Sequence, residues 1–342
     1  MKLIKRKLLI CSIVLVFMLS VFSTGAFAAE KKVYISGQSI GIAILSDGLI
    51  VTKAVEVKDK KGKSVFPAAE AGIRPGDVIK SVNGTQIKDA RHFSALINES
   101  NGKAVSITYL RGDVTRTVDV TPCYDEASEE YKLGILVRDG TSGIGTLTFV
   151  DAESSRYGAL GHSVNDATTG IIIPVQEGNI TNATIKNVVK SKNGSPGELS
   201  GAFDLFSPIG SIEKNSQFGI YGEFYNTKAL DGMQLIPIAT RDEVKIGKAQ
   251  ILCTLDDNVQ QYYDINVIKI NSQSKKDVKG MVIEVTDPRL IEKTGGIVQG
   301  MSGSPIIQDG KLIGAVTHVM INDTLRGYGM FIEWMLDEAK VS

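Results

Sequence analysis

The chain has 342 residues, with 38 basic side chains, 38 acidic side chains and three histidines. This balance, without a basic block or basic residues interleaved with aromatic ones, argues against nucleic acid as a partner. Three histidines and the lack of a CxxC motif argue against a metal site, so neither a metal nor a cofactor is predicted.

Residues 1–29 have the pattern of a targeting segment. Four basic residues lie within residues 2–7, an apolar run follows, and Ala26-Phe27-Ala28 is a small-x-small cleavage pattern. The apolar run could also just cross a bilayer, so the segment is either a cleaved signal or a retained membrane anchor. Both interpretations predict an exported, extracytoplasmic protein. The two cysteines beyond this segment, Cys123 and Cys253, form either one disulfide or two free thiols, and their spacing leaves this open.

Beyond the targeting segment, the pattern is typical of a mostly β protein. Glycine is abundant, with 35 residues, and short apolar runs broken by glycine, Asn-Gly or Asp-Gly recur along the chain. A first unit is predicted over residues 39–121. It opens with a glycine-interrupted apolar run and contains an Asn83-Gly84 pair, which indicates a hairpin turn.

The string AGIRPGDVIKSVNG, residues 71–84, resembles PDZ domains. That resemblance implies that an extended peptide adds as a strand to Ser39, Ile40, Gly41 and Ile42. The alternative is a PDZ domain with a closed groove that only packs on its neighbour.

A second unit is predicted over residues 122–342, and the polar stretch 121–132 at its start is predicted to be the linker. Its short strands and its length suit a pair of β-barrels or a large sandwich. It contains Gly300-Met301-Ser302-Gly303-Ser304-Pro305, in which a serine lies between two glycines. Such a loop can expose the Ser302 hydroxyl and aim backbone N–H groups at one point, as acyl transfer requires, while Ser304 is predicted to be a loop residue.

A serine nucleophile needs a base, and the second unit offers His162 and His318. His162 follows an apolar run and a glycine, which lets its ring project into a cleft. His318 follows the second strand of the hairpin after Ser302. In chymotrypsin-like barrels that strand lines the substrate cleft, so by this resemblance His318 is predicted to wall the specificity pocket. We therefore predict His162 as the base, with His318 as the alternative.

The order of histidine before serine matches chymotrypsin-type peptidases, which the Ser302 loop also resembles. This resemblance predicts a double β-barrel and an oxyanion hole formed by the N–H groups of Gly300 and Ser302. The carboxylate that orients the base is Asp204 or Asp287, and spacing does not choose between them.

A closer resemblance covers most of the chain. Together with the PDZ string, three segments resemble the stage IV sporulation B peptidases, peptidase family S55: YGALGHSV at 157–164, TGGIVQGMSGSPIIQDGKLIGAVTHV at 294–319 and GYGMFIEWML at 327–336. The resemblance implies a catalytic triad of His162, Asp287 and Ser302.

It also implies a function. The expected protein is an exported serine endopeptidase of sporulation signalling that cleaves its own N-terminal region and a membrane-bound regulator of an intramembrane metalloprotease. This cleavage leads to activation of a late sigma factor, in the space between the two membranes around the forespore. One alternative is a catalytically inactive PDZ adaptor. Another is an envelope quality-control protease, against which the domain order argues, because those enzymes place the PDZ domain after the peptidase.

The sequence does not define the cleavage preference. Gly296 lies six residues before Ser302, at a position that often forms the floor of the first specificity pocket in chymotrypsin-like enzymes. It brings no charge and does not by itself shape a pocket.

Overall fold

A computed structural model describes residues 31–225, 227–256 and 259–341. The predicted targeting segment, residues 1–29, lies outside the described residues. No helix among those described is both long enough and apolar enough to span a membrane.

Antiparallel strands make up most of the described chain. The first eight are β1 (Lys32–Ile35), β2 (Ser39–Ala54), β3 (Val57–Lys58), β4 (Ser64–Val65), β5 (Val78–Val82), β6 (Thr85–Gln86), β7 (Val105–Arg111) and β8 (Val114–Val120). The next nine are β9 (Cys123–Asp125), β10 (Glu130–Lys132), β11 (Ile135–Asp151), β12 (Arg156–Ala159), β13 (Val175–Val189), β14 (Glu198–Ser211), β15 (Lys214–Ser216), β16 (Gly219–Glu223) and β17 (Gln234–Pro237). The remaining strands are β18 (Gly247–Thr254), β19 (Gln260–Ile270), β20 (Met281–Val285), β21 (Pro305–Gln308), β22 (Lys311–Met320) and β23 (Asp323–Phe331). The helices are α1 (Pro67–Glu70), α2 (Ala90–Glu99), α3 (Pro288–Thr294) and α4 (Ile332–Ala339).

The second half of the chain contains a closed barrel of six strands, in the order β18, β19, β20, β23, β22 and β21. Its interior holds large aliphatic side chains, including Ile251, Ile283 and Val316. Inward-facing apolar residues that alternate along each strand explain why this sequence closes into a barrel.

A second ring of strands lies earlier in the chain. β2 pairs with β11, β11 with β12, and β12 with β16, while β13 pairs with both β2 and β14. A bridge between Gly210 and Phe224 joins β14 to the end of β16 and completes the ring. The two barrels confirm the predicted mostly β, chymotrypsin-like architecture.

The PDZ-like part is a sheet of β2, β5, β7 and β8 covered by α2. Asp89 caps α2, its carboxylate accepting a bond from the His92 N–H at 2.7 Å, and Phe93 and Ile97 point into the core. Asn83 and Gly84 both have positive φ, as the predicted Asn-Gly turn requires.

β2 and β11 run through both the PDZ-like sheet and the first barrel. Leu49 and Ile50 of β2 pair with β5 in the PDZ-like sheet, whereas residues 40–44 pair with β13 in the barrel. Gly48 has φ +105°, and a Cβ there would lie 2.5 Å from the carbonyl oxygen of Ile79, so only glycine fits at the passage between the two. The PDZ-like sheet is therefore inserted between two neighbouring strands of a barrel, and the predicted boundaries, 39–121 and 122–342, do not separate two independent units.

This arrangement overturns the predicted peptide-binding strand. Ile40 and Ile42 are 0% and 3% exposed in the barrel core, and a Cβ on Gly41 would lie 2.3 Å from the Phe203 ring. β11 and β13 pair with opposite edges of the segment that holds Ser39, Ile40, Gly41 and Ile42. A peptide cannot add to a strand whose two edges are already paired, so the assignment of these four residues is wrong for this structure.

β1 was not predicted. It pairs with both β11 and β17, and its Val33 and Ile35 side chains are buried between the barrels. The first described strand, which begins at Lys32, is thus part of the same fold as both barrels.

Candidate active site

The loop that contains Ser302 is held in place by β11. The Thr146 N–H donates to the carbonyl of Ser302 at 3.1 Å, and the Thr146 hydroxyl donates to the carbonyl of Gly300 at 2.8 Å. One pleat further along, the Thr148 hydroxyl donates to the carbonyl of Gly303 at 2.7 Å. The first barrel therefore fixes the loop of the second barrel through three hydrogen bonds.

Two glycines let this loop approach β11 so closely. Gly303 has φ +96°, and a Cβ there would lie 2.1 Å from the carbonyl oxygen of Thr146. Gly300 has φ +97°, and its Cβ would lie 2.9 Å from the Cβ of Leu199. Both the backbone conformation and the lack of space exclude a side chain at either position.

The backbone N–H groups of the loop fall into two sets. Those of Met301, Gly303 and Ser304 donate to the carbonyls of Val298, Val316 and Met301. In the described part of the chain, no backbone carbonyl accepts from the N–H of Gly300 or Ser302. These are the two groups predicted to form the oxyanion hole.

The two serines of the motif differ in their surroundings. The half-buried Ser302 hydroxyl donates to the carbonyl of Thr317 at 2.8 Å. Ser304, predicted to be a loop residue, is buried, and its hydroxyl donates to the carbonyl of Met301 at 2.7 Å, which closes the turn.

His162 and Ser302 line one cavity of about 500 Å³ between the barrels. The Nδ1 atom of His162 lies 2.8 Å from the carbonyl oxygen of Ser163. A carbonyl oxygen only accepts hydrogen bonds, so this contact assigns the proton to Nδ1 and leaves the Nε2 lone pair free. That is the tautomer a general base requires.

His318 lines the same cavity, as predicted for a pocket wall, and its ring centroid lies 5.2 Å from that of His162. Burial lowers the pKa of His162, and the hydrogen bond to the Ser163 carbonyl opposes this only in part. The pKa of His318 is lowered to about 4 by partial desolvation and by the neighbouring His162 and Lys279. Both imidazoles are therefore neutral at neutral pH.

The segment that carries His162 is anchored by an asparagine that the sequence reasoning missed. The Asn215 amide donates to the carbonyls of Val164 and Ile173 at 2.8 and 3.0 Å, and its oxygen accepts from the Val164 N–H at 2.9 Å. These bonds fix the backbone next to Ser163, whose carbonyl orients His162. A single asparagine in a β-rich sequence gives no spacing signal that could have found it.

Asp287 does not orient His162 in this structure. Its carboxylate is 3% exposed, pairs with the Arg289 guanidinium at 2.7 Å and accepts from the Asp264 N–H at 3.2 Å. It also caps α3, and it is not among the residues that line the cavity. The alternative, Asp204, is exposed and accepts from the Phe206 N–H and the Ser207 hydroxyl. The predicted triad role of Asp287 is therefore wrong for this structure, because a local ion pair takes its carboxylate.

Two further expectations concern cysteines and metals. Cys123 and Cys253 are both free thiols, which settles the alternative that their spacing left open. The described residues contain no cluster of three or more histidine, cysteine or acidic side chains with the geometry to hold a metal ion.

Comparison with known proteins identifies the two parts of the chain. Residues 129–336 match the family model of the SpoIVB peptidase S55, and residues 40–121 match that of PDZ domains. The chain spans about a fifth or less of the length of the curated relatives it matches. One of them, NMA0084 of Neisseria meningitidis serogroup A, is described as a candidate zinc metalloprotease. It is 32% identical over 68 residues, which cover 20% of this chain and 15% of that protein.

Two of the solved structures that resemble parts of the chain illustrate the match. The PDZ domain of the SdrC-like protein Lmo2051 from Listeria monocytogenes covers 27% of this chain and 90% of its own, with 28% identity and a TM-score of 0.22. The active form of the Rv3671c protease from M. tuberculosis covers 59% of this chain and 76% of its own, with 12% identity and a TM-score of 0.33.

The peptidase family model covers more than half of the chain and includes both His162 and the Ser302 loop. It confirms the resemblance found in the sequence. The PDZ match covers residues that lie before the peptidase match in the chain. The chain therefore belongs to the SpoIVB peptidase S55 family, and this membership supports the predicted serine endopeptidase.

Proposed function

We propose that the chain is an active serine endopeptidase in which Ser302 is the nucleophile and His162 the general base. The observation that carries this proposal is that both side chains line one cavity, with His162 in the tautomer that leaves Nε2 free. The free N–H groups of Gly300 and Ser302 supply the oxyanion hole.

In the proposed reaction, the Ser302 hydroxyl exchanges the Thr317 carbonyl for Nε2 of His162 when substrate binds. Nε2 takes the proton while Oγ attacks the peptide carbonyl, and the N–H groups of Gly300 and Ser302 stabilise the oxyanion. His162 then protonates the leaving amine, and the same base activates the water that hydrolyses the acyl-enzyme.

The Ser163 carbonyl takes the orienting role that a carboxylate has in a triad. It fixes the ring and its tautomer, but an uncharged oxygen stabilises the imidazolium less than a carboxylate does. This chemistry suits a slow enzyme that makes few cuts rather than one that degrades proteins.

Family membership supports a more specific role in sporulation. In this proposal, the exported enzyme cleaves its own N-terminal region and a membrane-bound regulator of an intramembrane metalloprotease. The outcome is activation of a late sigma factor, and the site of action is the space between the two membranes around the forespore. The apolar run within residues 1–29 supports tethering to the membrane before self-cleavage.

The test is self-cleavage and peptide hydrolysis by the purified full chain and its Ser302→Ala and His162→Ala variants. Loss of the nucleophile is expected to lower kcat by roughly 10⁶-fold, which abolishes both reactions. Unchanged self-cleavage in pure Ser302→Ala protein would refute the assignment. An inactive wild-type protein that still binds a peptide would favour the PDZ adaptor instead.

A further inference from the structure

The wall of the active-site cavity carries no acidic or basic side chain apart from two histidines. Among the described residues, those that line it are aliphatic, small or amide-bearing, together with His162 and His318. Both histidines are neutral at neutral pH. A charged substrate side chain would therefore lose water in this cavity without gaining an ion pair, which is costly.

The geometry of the reaction places one substrate side chain against a known stretch of the wall. The scissile carbonyl must lie at the N–H groups of Gly300 and Ser302. The side chain on the amino side of that carbonyl must then enter the cavity beside Ser302. The wall includes residues 297–299, just before the Ser302 loop, and residues 317–319, whose first carbonyl binds the Ser302 hydroxyl.

Ile297 closes this part of the cavity. It lies five residues before Ser302 and is 2% exposed, and its N–H donates to the carbonyl of Thr324 at 2.8 Å. A Cβ built on Gly327 would lie 2.5 Å from Cδ1 of Ile297, so the isoleucine reaches across to β23 and occupies the space that this glycine leaves.

Gly296, which the sequence suggested as a pocket floor, does not line the cavity. A Cβ at that position would lie 2.2 Å from the carbonyl oxygen of Thr324, so Gly296 packs against the backbone of β23. Other apolar residues that line the same cavity are Ile144 from the first barrel and Val319 and the 56% exposed Ile321 from the second.

We propose that this is a shallow, apolar primary specificity pocket whose floor is the Ile297 side chain. The enzyme then cleaves on the carboxyl side of aliphatic residues the size of valine or leucine. It rejects charged residues because they have no partner, and aromatic residues because Ile297 occupies the depth they need. This assignment rests on the proposed function, since it names the substrate class of the same site.

The test uses peptides that differ only in the residue before the scissile bond, with Ala, Val, Leu, Phe, Lys or Glu at that position. For the wild type we expect kcat/KM to be highest with Val or Leu, and at least about tenfold lower with Phe, Lys or Glu, a typical discrimination for an apolar pocket. In Ile297→Ala, the ratio of kcat/KM for Phe to that for Val should rise at least about tenfold, with Ile297→Val between the two.

Ile251→Ala is the matched control. Ile251 is fully buried in the same barrel core but does not line the cavity, so this variant loses a similar side chain without opening the pocket. Its Phe to Val ratio should equal that of the wild type.

Labelling of Ser302 by a fluorophosphonate, measured on each protein, separates the two levels of the argument. A wild type that labels but prefers Lys, Glu or Phe would overturn the pocket assignment alone. The pocket assignment would also be overturned if Ile297→Ala labels but keeps the wild-type preference. It would likewise be overturned if Ile251→Ala shifts the preference as much as Ile297→Ala does. A wild type that does not label would overturn the proposed function and the pocket with it.

Discussion

The Ser302 hydroxyl donates its hydrogen bond to the carbonyl of Thr317, 2.8 Å away, although the imidazole of His162 lines the same cavity. A hydroxyl has one proton, so this bond must be exchanged for one to Nε2 before the serine can attack. The loop itself is already fixed by Thr146, Thr148 and Val316. Activation therefore requires the Ser302 hydroxyl to leave the Thr317 carbonyl, while the loop that carries it is already held in place.

The hydroxyl of Thr146 is expected to support catalysis from outside the cavity. Thr146→Val removes its bond to the Gly300 carbonyl and so loosens the residue whose own N–H is one proposed oxyanion donor. A hydrogen bond of this kind contributes about 1 kcal/mol, so kcat should fall roughly fivefold. KM should stay unchanged, because Thr146 does not line the cavity.

Thr108→Val is the control for this prediction. Thr108 also lies on a β-strand, and its hydroxyl pairs with that of Thr117 in the PDZ-like sheet. An equal loss of kcat in both variants would mean that Thr146 acts through general stability alone.

The pH dependence follows from the lowered pKa of His162. The base works only when neutral, so kcat/KM should fall with decreasing pH through an apparent pKa below the ordinary value of 6.5. The unfolded chain binds this proton at the ordinary pKa. The titration of His162 therefore leaves the free energy of unfolding unchanged above about pH 6.5 and lowers it as the pH falls below that value.

A pH series of kcat/KM, with His318→Gln beside the wild type, checks this prediction. The acid limb should persist in the variant, because His162 is the base. A limb at or above 6.5, or one that disappears in His318→Gln, would contradict the assignment of His162.

Asp287→Asn should change stability and leave catalysis close to the wild type. The bonds from Arg289 hold the pKa of Asp287 at about 2, below the ordinary 3.8. The lowered pKa stabilises the fold above pH 3.8, and this contribution is lost as the pH falls towards 2. Because Arg289 is exposed to solvent, we expect a loss of roughly 1–2 kcal/mol at pH 7.

Asparagine also caps helices, so this substitution removes the charge and keeps the cap of α3. Denaturant unfolding at pH 7 and kinetics on one peptide measure the two effects. A fall in kcat of about 10⁴-fold, as expected for a triad carboxylate, would restore Asp287 to the catalytic role.

Self-cleavage should occur on the N-terminal side of Lys32. β1 is paired on both edges and its Val33 and Ile35 are buried, so this strand cannot enter the cleft as an extended peptide without unfolding. Mass spectrometry of the stable product should find a new N-terminus at or before residue 32. A cut within residues 33–37, absent in Ser302→Ala, would show that β1 leaves the folded unit.

Local strings pointed to Ser302 and His162, the proposed nucleophile and base, because the geometry around each of them is local. Gly303 and Gly300 adopt positive φ where the loop meets β11, and Gly161 does so beside His162, so these glycines are visible in the sequence as part of the motif. The PDZ string and the Asn83-Gly84 turn were readable for the same reason.

The errors concern partners that the sequence does not place side by side. Ile40 and Ile42 have the alternation of a half-buried strand, but their partners on β11 and β13 lie more than a hundred residues away. For Asp287, the nearby Arg289 takes the carboxylate that the family pattern had assigned to His162. Asn215 was missed because its role depends on a backbone contact some fifty residues away, at Val164.

The central claim is that Ser302, activated by His162, is a working nucleophile. Fluorophosphonate labelling, with the modified peptide identified by mass spectrometry, tests it most directly in the wild type and in the Ser302→Ala, His162→Ala and Asp287→Asn variants. We predict labelling at Ser302 in the wild type and in Asp287→Asn, and none in the other two. Absence of label from the wild type, or label at Ser302 that persists in His162→Ala, would contradict the account.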